Sequence, residues 1–321
     1  MIVTFTASPS IDRTAALTAP LERGGVNRIA SVDDGPGGKG INVSRALALA
    51  GAPTLAVLPA SSGDPLLSAL AQADVAHRAV DLPGRVRTNI TLTEPDGTTT
   101  KINEPGALLD DDAQLACLAA VRDAVSPGDW VALCGSLPPG PSEDWYAQLI
   151  TQLRGSGVQI AVDTSDAPLV ALSERLETAA PDILKPNGLE LGQLVGDDGL
   201  AIEAAADDGD FLPAARAARR LVERGVREVL ATLGGAGAVL VTAEGAWSAT
   251  PPPITPVSTV GAGDSSLSGL LIAHTEGLAP AERLRRAVAY GSGATALPGT
   301  GVPSPEQIDL DGTTVSELPL D

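Results

Sequence analysis

Apolar residues fall along this chain in two alternating patterns. Short, nearly unbroken apolar runs give way to longer stretches in which apolar positions recur every three or four residues, so buried strands alternate with amphipathic helices. Ile2–Thr6 reads as a buried strand, and a polar, extended stretch follows to about Ser31. Gly40–Ala50 has helical spacing and stops at Gly51, and Thr54–Ala60 is strand-like. From Asp110 the alternation is regular. A helix over Asp110–Val125 leads to a strand at Trp130–Cys134, and a helix over Ser142–Arg154 leads to a strand at Val158–Asp163. A further helix precedes Asp182–Lys185, and a helix over Leu212–Arg224 leads to a strand at Glu228–Leu233. Such alternation predicts an α/β fold with a mainly parallel sheet covered by helices on both faces.

One segment departs from that rhythm. Asn89–Thr93 and Thr98–Ile102 alternate polar and apolar residues around Pro95-Asp96-Gly97, the pattern of a hairpin. The acidic, Ala- and Gly-rich stretch Asp197–Asp210 reads as a solvated surface excursion. Nothing divides the chain, so residues 1–321 form one domain, with a small β element built from about 13–31 and 86–103.

Composition narrows the function. The formal net charge of -19 would repel a polyanion, which argues against nucleic-acid binding. An anionic substrate would therefore need local positive charge. Lysine occurs at only three positions, Lys39, Lys101 and Lys185, and two of these lie in glycine- or proline-marked motifs. Cys117 and Cys134 match no metal spacing and no disulfide framework, which implies a reduced, cytoplasmic setting. His77 and His274 are the only histidines, giving little basis for a histidine metal site or triad. The first residues do not read as a signal peptide, and no apolar run has the length of a membrane span.

The strongest chemical signal is STVGAGDSSLSGLL, Ser258–Leu271. Gly261, Ala262 and Gly263 open a helix, where backbone N–H groups have no internal partners and the dipole is positive. Small residues let a phosphate approach those groups, and Asp264 in the first turn could take a proton from an attacking hydroxyl. The plainer reading is an Asp capping a helix after a glycine turn. The second signal, GPGGKGINVSRAL, fails the P-loop pattern because Gly40 follows Lys39 where Ser or Thr is needed. It reads either as a loop with a solvated lysine or as a loop lying on a small polar ligand, with Lys39 and Asn42 reaching it. In ILKPNGLEL, Asn187 and Glu190 have the spacing of a helix cap. TLGGAGA, Thr232–Ala238, is a glycine turn after a strand.

Taken together and in order, these motifs resemble the PfkB family of sugar kinases, of ribokinase-like fold, over essentially the whole chain. Gly37–Asn42 resembles the family's N-terminal signature and Ser258–Ser265 its C-terminal one. GGKGINVSRAL is similar to the loop of 1-phosphofructokinases and tagatose-6-phosphate kinases. Val86–Gly106 resembles 1-phosphofructokinases most closely. The resemblance implies a central, mainly parallel sheet flanked by helices, and a small β lid that closes over the sugar and can pair two subunits. It implies ATP-dependent phosphorylation of fructose 1-phosphate, or alternatively of fructose 6-phosphate or tagatose 6-phosphate. Asp12, Gly37, Gly38, Lys39, Asn42, Arg87 and Asn89 would hold the sugar phosphate. Lys185, Asn187, Thr232, Gly234, Gly235, Gly237, Thr259 and Gly263 would hold ATP. Asn187 and Glu190 would organise Mg²⁺, mainly through water. Gly261, Ala262 and Gly263 would cradle the moving phosphoryl group, with Asp264 as base. The chain departs from the family at Ser8-Pro9, where Asn-Pro is usual, and at Thr91, where Lys is usual. A silent sugar-phosphate or nucleotide sensor is the alternative of another class, and Asp264 with its glycine hole counts against it.

Overall fold

A computed structural model describes residues 1–320. Its strands are β1 (Ile2–Thr6), β2 (Ser10–Leu17), β3 (Ile29–Gly37), β4 (Thr54–Pro59), β5 (His77–Val80), β6 (Arg87–Thr93), β7 (Thr99–Asn103), β8 (Trp130–Cys134), β9 (Gln159–Asp163), β10 (Ile183–Leu184), β11 (Glu228–Thr232), β12 (Ala238–Thr242), β13 (Ala246–Thr250) and β14 (Thr314–Glu317). Ten of them form one sheet in the order β14-β13-β12-β11-β10-β9-β8-β1-β4-β5. From β5 to β11 all neighbours are parallel, and β12, β13 and β14 add an antiparallel edge.

The unbroken apolar strands follow from burial on both faces. In β8, Val131 and Leu133 enter one aliphatic cluster, while Trp130, Ala132 and Cys134 enter the cluster on the other face. Side chains alternate across a strand, so a strand between two helical layers must be apolar at every position. A core so poor in aromatics is filled by Val, Leu, Ile and Ala, with Phe5 and Trp145 meeting edge to face at 5.7 Å.

The remaining four strands form a second sheet, β3-β2-β6-β7. The hairpin read from Pro95-Asp96-Gly97 is β6–β7, closed by Glu94 N–H donating to Thr98 O at 2.8 Å, with Gly97 at φ 89°. The lid is broader than the pattern suggested. It begins at Ser10 rather than residue 13, and β3 runs on through Gly35-Pro36-Gly37, a stretch that reads as loop. These glycines are in a strand because β3 pairs with β2 up to Ser10↔Gly37, and Gly37 lies against the Asp12 carboxyl. The 197–210 stretch is also more ordered than expected: Asp198 caps a helix over Gly199–Asp207, with Ile202 and Ala206 buried. Alanine there is a helix former, and Gly192 and Gly199 let that helix touch the preceding one. No helix among the described residues is long and apolar enough to cross a membrane.

The helices Ala262–Thr275 and Pro280–Thr295 pack together through glycine. A Cβ on Gly269 would sit 2.7 Å from Arg286 O, and one on Gly291 would sit 2.2 Å from Ser266 Oγ. Helix propensity alone would make Gly269→Ala stabilising by about 1 kcal/mol. The backbone contact reverses that sign, since overpacking costs about 1–3 kcal/mol. Gly269→Ala is therefore expected to lower the urea midpoint, and a raised midpoint would show that the helix pair has room to spare.

Candidate active site

The candidate residues converge beyond the carboxyl ends of the parallel strands, the edge where ligands bind in such sheets. Three segments meet there. The helix Lys39–Leu49 follows the end of β3, Lys185 follows β10, and the helix Ala262–Thr275 arrives from the C-terminal part of the chain. Gly38 has φ 116°, and a Cβ there would strike Thr6 Cγ2 at 2.7 Å. A Cβ on Gly40 would lie 2.5 Å from Thr6 Oγ1. Those glycines let the helix N-terminus settle directly on the end of β1.

At the centre is Asp163, the last residue of β9 and fully buried. Lys39 Nζ donates to its Oδ1 at 2.8 Å, and Lys185 Nζ lies 3.1 Å from its Oδ2. Burial works against the Asp163 charge, but Lys185 and Lys39 hold its carboxyl below the usual carboxylate range. Burial likewise opposes the Lys39 charge, and Asp163 and then Asp264 outweigh it, raising the ammonium pKa above its ordinary value. The two noteworthy lysines of the sequence thus share one carboxylate. Sequence reasoning placed Asp163 at a strand end and gave it no role. The signal available was an Asp closing a strand whose three preceding residues, Ile160, Ala161 and Val162, are apolar.

Gly261, at φ 82°, caps the helix Ala262–Thr275, and Asp264 sits in its first turn. The N–H groups of Gly263 and Asp264 have no acceptor among the described residues. Lys185 reaches the same place, for a Cβ on Gly263 would be 3.1 Å from its Nζ. Free N–H groups, a helix N-terminus and an ammonium make an anion hole. Asp264 is buried beside it and accepts a hydrogen bond from Asn42 Nδ2 at 2.9 Å. Burial first, then the negative Asp163, push its carboxyl up to about 6, while Lys39, the Asn42 hydrogen bond and Lys185 pull the other way. A carboxylate with a pKa near neutrality suits proton transfer. The nearby Cys134 thiol is driven well above its ordinary value by burial, which argues against a cysteine nucleophile.

The residues expected to hold the sugar phosphate gather on the lid side. Asp12 and Asn89 face each other in the β2–β6 register. Asn89 Nδ2 donates to Asp12 Oδ1 at 3.0 Å and to Ser10 Oγ at 3.1 Å, and Ser10 Oγ donates to Asp12 Oδ1 at 2.7 Å. Asn89 Oδ1 and Arg87 Nε are buried and unpartnered. Arg87 donates to Ser8 O at 3.0 Å and Glu104 O at 3.4 Å, so backbone carbonyls hold part of its fork.

The residues expected to hold ATP lie on the other side. Thr232 N–H donates to Pro186 O at 3.0 Å, which places the TLGGAGA turn beside the KPNGLE segment. Gly234 and Gly235 face open space, and Thr259 is exposed at the edge of the glycine turn. Gly237 also packs against the sheet: a Cβ there would strike Ala249 O. Asn187 and Glu190 form a capping box, with Asn187 Oδ1 and Glu190 Oε2 each accepting a backbone N–H at 2.8 Å. No cluster of three or more His, Cys, Asp or Glu suited to a metal occurs among the described residues. One spare Glu190 oxygen fits an ion such as Mg²⁺ that keeps most of its waters and takes its other ligands from phosphates.

The chain is similar to known proteins over nearly its whole length. The model of the pfkB family of carbohydrate kinases matches residues 6–307. A 1-phosphofructokinase from Rhodobacter capsulatus is 35% identical over 320 residues, 98% of this chain and 96% of the relative. The ATP-dependent 6-phosphofructokinase isozyme 2 of Escherichia coli is 33% identical over 303 residues, 93% of this chain and 94% of the relative. The crystal structure of phosphofructokinase-2 from Escherichia coli in complex with fructose-6-phosphate superposes with a TM-score of 0.83 at 28% identity, covering 95% of this chain and 96% of that one.

The raised Asp264 pKa has a consequence for stability. Its folded value lies above the unfolded one of about 3.9, so its contribution is fully present below about pH 4 and is lost as pH rises through about 6. Above that, the ionised buried carboxylate costs about 1–3 kcal/mol. Asp264→Asn is expected to be more stable than wild type by that amount at pH 8, with the gap closing towards pH 4. Urea unfolding at several pH values measures it. A gap of equal size at pH 5 and pH 8 would show that the carboxylate is not destabilised by burial.

Proposed function

We propose, since the chain belongs to the pfkB family of carbohydrate kinases, that it transfers the γ-phosphoryl group of ATP to the C6 hydroxyl of fructose 1-phosphate, forming fructose 1,6-bisphosphate and ADP. The observation that supports this most is the placement of Asp264. It is a buried carboxylate next to two free backbone N–H groups and Lys185, tied through Asn42 to the sugar side of the cleft. In this reading the sugar hydroxyl oxygen forms the new bond to phosphorus as the bond to the ADP oxygen breaks, and Asp264 receives the hydroxyl proton. The N–H groups of Gly263 and Asp264, with Ala262 and Gly261 shaping the turn, stabilise the charge on the moving group. Lys185 faces the phosphates of ATP, and Thr232, Gly234, Gly235 and Thr259 border the nucleotide. Mg²⁺, held beside Glu190 and Asn187, would neutralise phosphate charge.

On the sugar side, Asp12 and Asn89 hold hydroxyls, and Lys39 and Arg87 hold the phosphate. Arg87 suits that role because its planar fork can meet two phosphate oxygens. Gly37 and Gly38 keep the loop close to the ligand, since a Cβ on Gly37 would occupy the space of the Asp12 carboxyl. The lid closes over the sugar and excludes water, which would otherwise compete for the phosphoryl group. Ile29 and Val32 of β3 and Ile102 of β7 are exposed, which supports a homodimer formed through the lid sheets. Two buried, free cysteines accord with a cytoplasmic setting.

Two measurements test the reading. Asp264→Asn is expected to lower kcat by about 10²–10⁴ while ATP binding survives, the range for loss of a general base. Near wild-type turnover would remove Asp264 from the mechanism. The substrate is tested by kinetics with saturating Mg-ATP. Fructose 1-phosphate and fructose 6-phosphate carry equal charge, so discrimination depends on which hydroxyl the anchored phosphate presents to Asp264. A misplacement of about 1 Å can cost on the order of 10² in rate, so kcat/KM for fructose 1-phosphate is expected to exceed that for either 6-phosphate by at least about tenfold. A preference for fructose 6-phosphate or tagatose 6-phosphate would overturn the substrate and leave the kinase standing.

A further inference from the structure

Arg45 stands one turn along the helix Lys39–Leu49 from Asn42 and is half-buried. No carboxylate forms an ion pair with it among the described residues. Burial lowers its pKa, and the field of Asp12 only partly offsets that. A guanidinium drawn out of water without a counter-ion is held for a reason other than stability. Its contacts point to one. Arg45 Nη1 donates to Asn42 Oδ1 at 3.3 Å and to Thr300 O at 3.1 Å. The other end of the same amide, Asn42 Nδ2, donates to Asp264.

We propose that Arg45 is a positioning residue, which commits the Asn42 amide to act only as a hydrogen-bond donor towards Asp264. The chemistry of the three groups requires it. A guanidinium has donors and no acceptor, and an ionised carboxylate has acceptors and no donor. An amide between them has one satisfactory orientation, with its carbonyl on the arginine and its N–H on the carboxylate. Without Arg45 the amide is free to turn. Its carbonyl could then accept a hydrogen bond from neutral Asp264 and favour the acid form, in which Asp264 cannot serve as a base. Thr300 anchors the arginine from the far side. Thr300 follows Gly299, whose carbonyl accepts from Ser258 Oγ at the start of the segment that carries the glycine turn. Arg45 therefore ties together the loop, the amide and the segment bearing the base.

This inference rests on Asp264 as the base. The groups acting on Asp264 are Asp163, Lys39, Lys185 and Asn42, with the buried Cys134 thiol alongside. Arg45 acts on it through Asn42 alone.

The test is the pH dependence of kcat/KM for the sugar phosphate. In Arg45→Met the acid limb is expected to move up by about 0.5–1 pH unit, the scale of one ordinary hydrogen bond. Activity above pH 8 and KM for the sugar phosphate should stay within about twofold, because neither the anion hole nor the phosphate contacts change. In an Asn42→Ala background, Arg45→Met should not move the limb further, since the arginine acts only through the amide. Arg45→Gln keeps an N–H donor without the charge and is the second variant if Arg45→Met does not fold; its limb should stay near wild type. An unmoved limb in Arg45→Met overturns the proposal. So does a limb that moves equally in Arg45→Gln and Arg45→Met, which would mean that charge acts through space. A KM increase of tenfold or more with an unmoved limb would make Arg45 a phosphate contact instead. Asp264→Asn is run alongside. If it retains turnover, the base assignment fails; if it loses turnover while Arg45→Met leaves the limb in place, only the role of Arg45 fails.

Discussion

Two lysines share one buried carboxylate, and the rest of the site is arranged around that fact. Lys39 and Lys185 come from segments 146 positions apart and meet on opposite oxygens of Asp163. A lone carboxylate in that position would be expensive to bury, and so would either ammonium. Together they leave a net positive charge at the mouth of a helix whose first N–H groups are free. A chain with a formal charge of -19 can attract an anion only where charge is concentrated in this way. The same carboxylate helps push the Asp264 pKa upwards, so one residue draws the two lysines together and tunes the neighbouring carboxyl.

The parallel sheet makes this convergence possible. Every parallel strand ends at the same edge, so residues at the ends of β1, β9 and β10 reach one cleft although they are distant in sequence. The glycines then set distance. Gly38 and Gly40 bring the helix start onto Thr6, and Gly269 and Gly291 lock the anion-hole helix to its neighbour. The second sheet adds a lid whose Ser10, Asp12 and Asn89 form a polar face linked by hydrogen bonds.

Proteins named 1-phosphofructokinase and 6-phosphofructokinase are both similar to this chain over nearly its whole length. In the proposed reading, the residues that would bind and move the phosphoryl group lie in rigid elements at the sheet edge, whereas the sugar contacts would lie on the second sheet and on the loop beneath it. Of the two positions where this chain departs from the family's usual residues, Thr91 lies in the second sheet and Ser8 just before it. Ser8 O accepts from Arg87, and Thr91 pairs with Thr14 in the β2–β6 register. In the proposed reading, variation there would alter which phosphate is held without disturbing Asp264.

The alternation of apolar runs and helical spacing was enough to determine the α/β class, because a strand covered on both faces must be apolar throughout. The GAGD turn was legible for a similar reason: small residues before a helix and an acid in its first turn are local features. The capping box of Asn187 and Glu190 was equally local. Tertiary structure decided the remainder. Asp163 looked like the end of a strand until the fold brought two lysines to it. Gly35 to Gly37 looked like loop until pairing with β2 drew them into a strand. Asp197–Asp210 read as a solvated excursion and is largely exposed, but it forms a helix that buries Ile202 and Ala206. Arg45 had no role in the sequence, and only the approach of Thr300 and the placement of Asn42 against Asp264 gave its position meaning. Local patterns are set by covalent spacing and steric preference, which the sequence carries. The partner of a buried charge is set by which distant segments the sheet brings together, and no local pattern carries that.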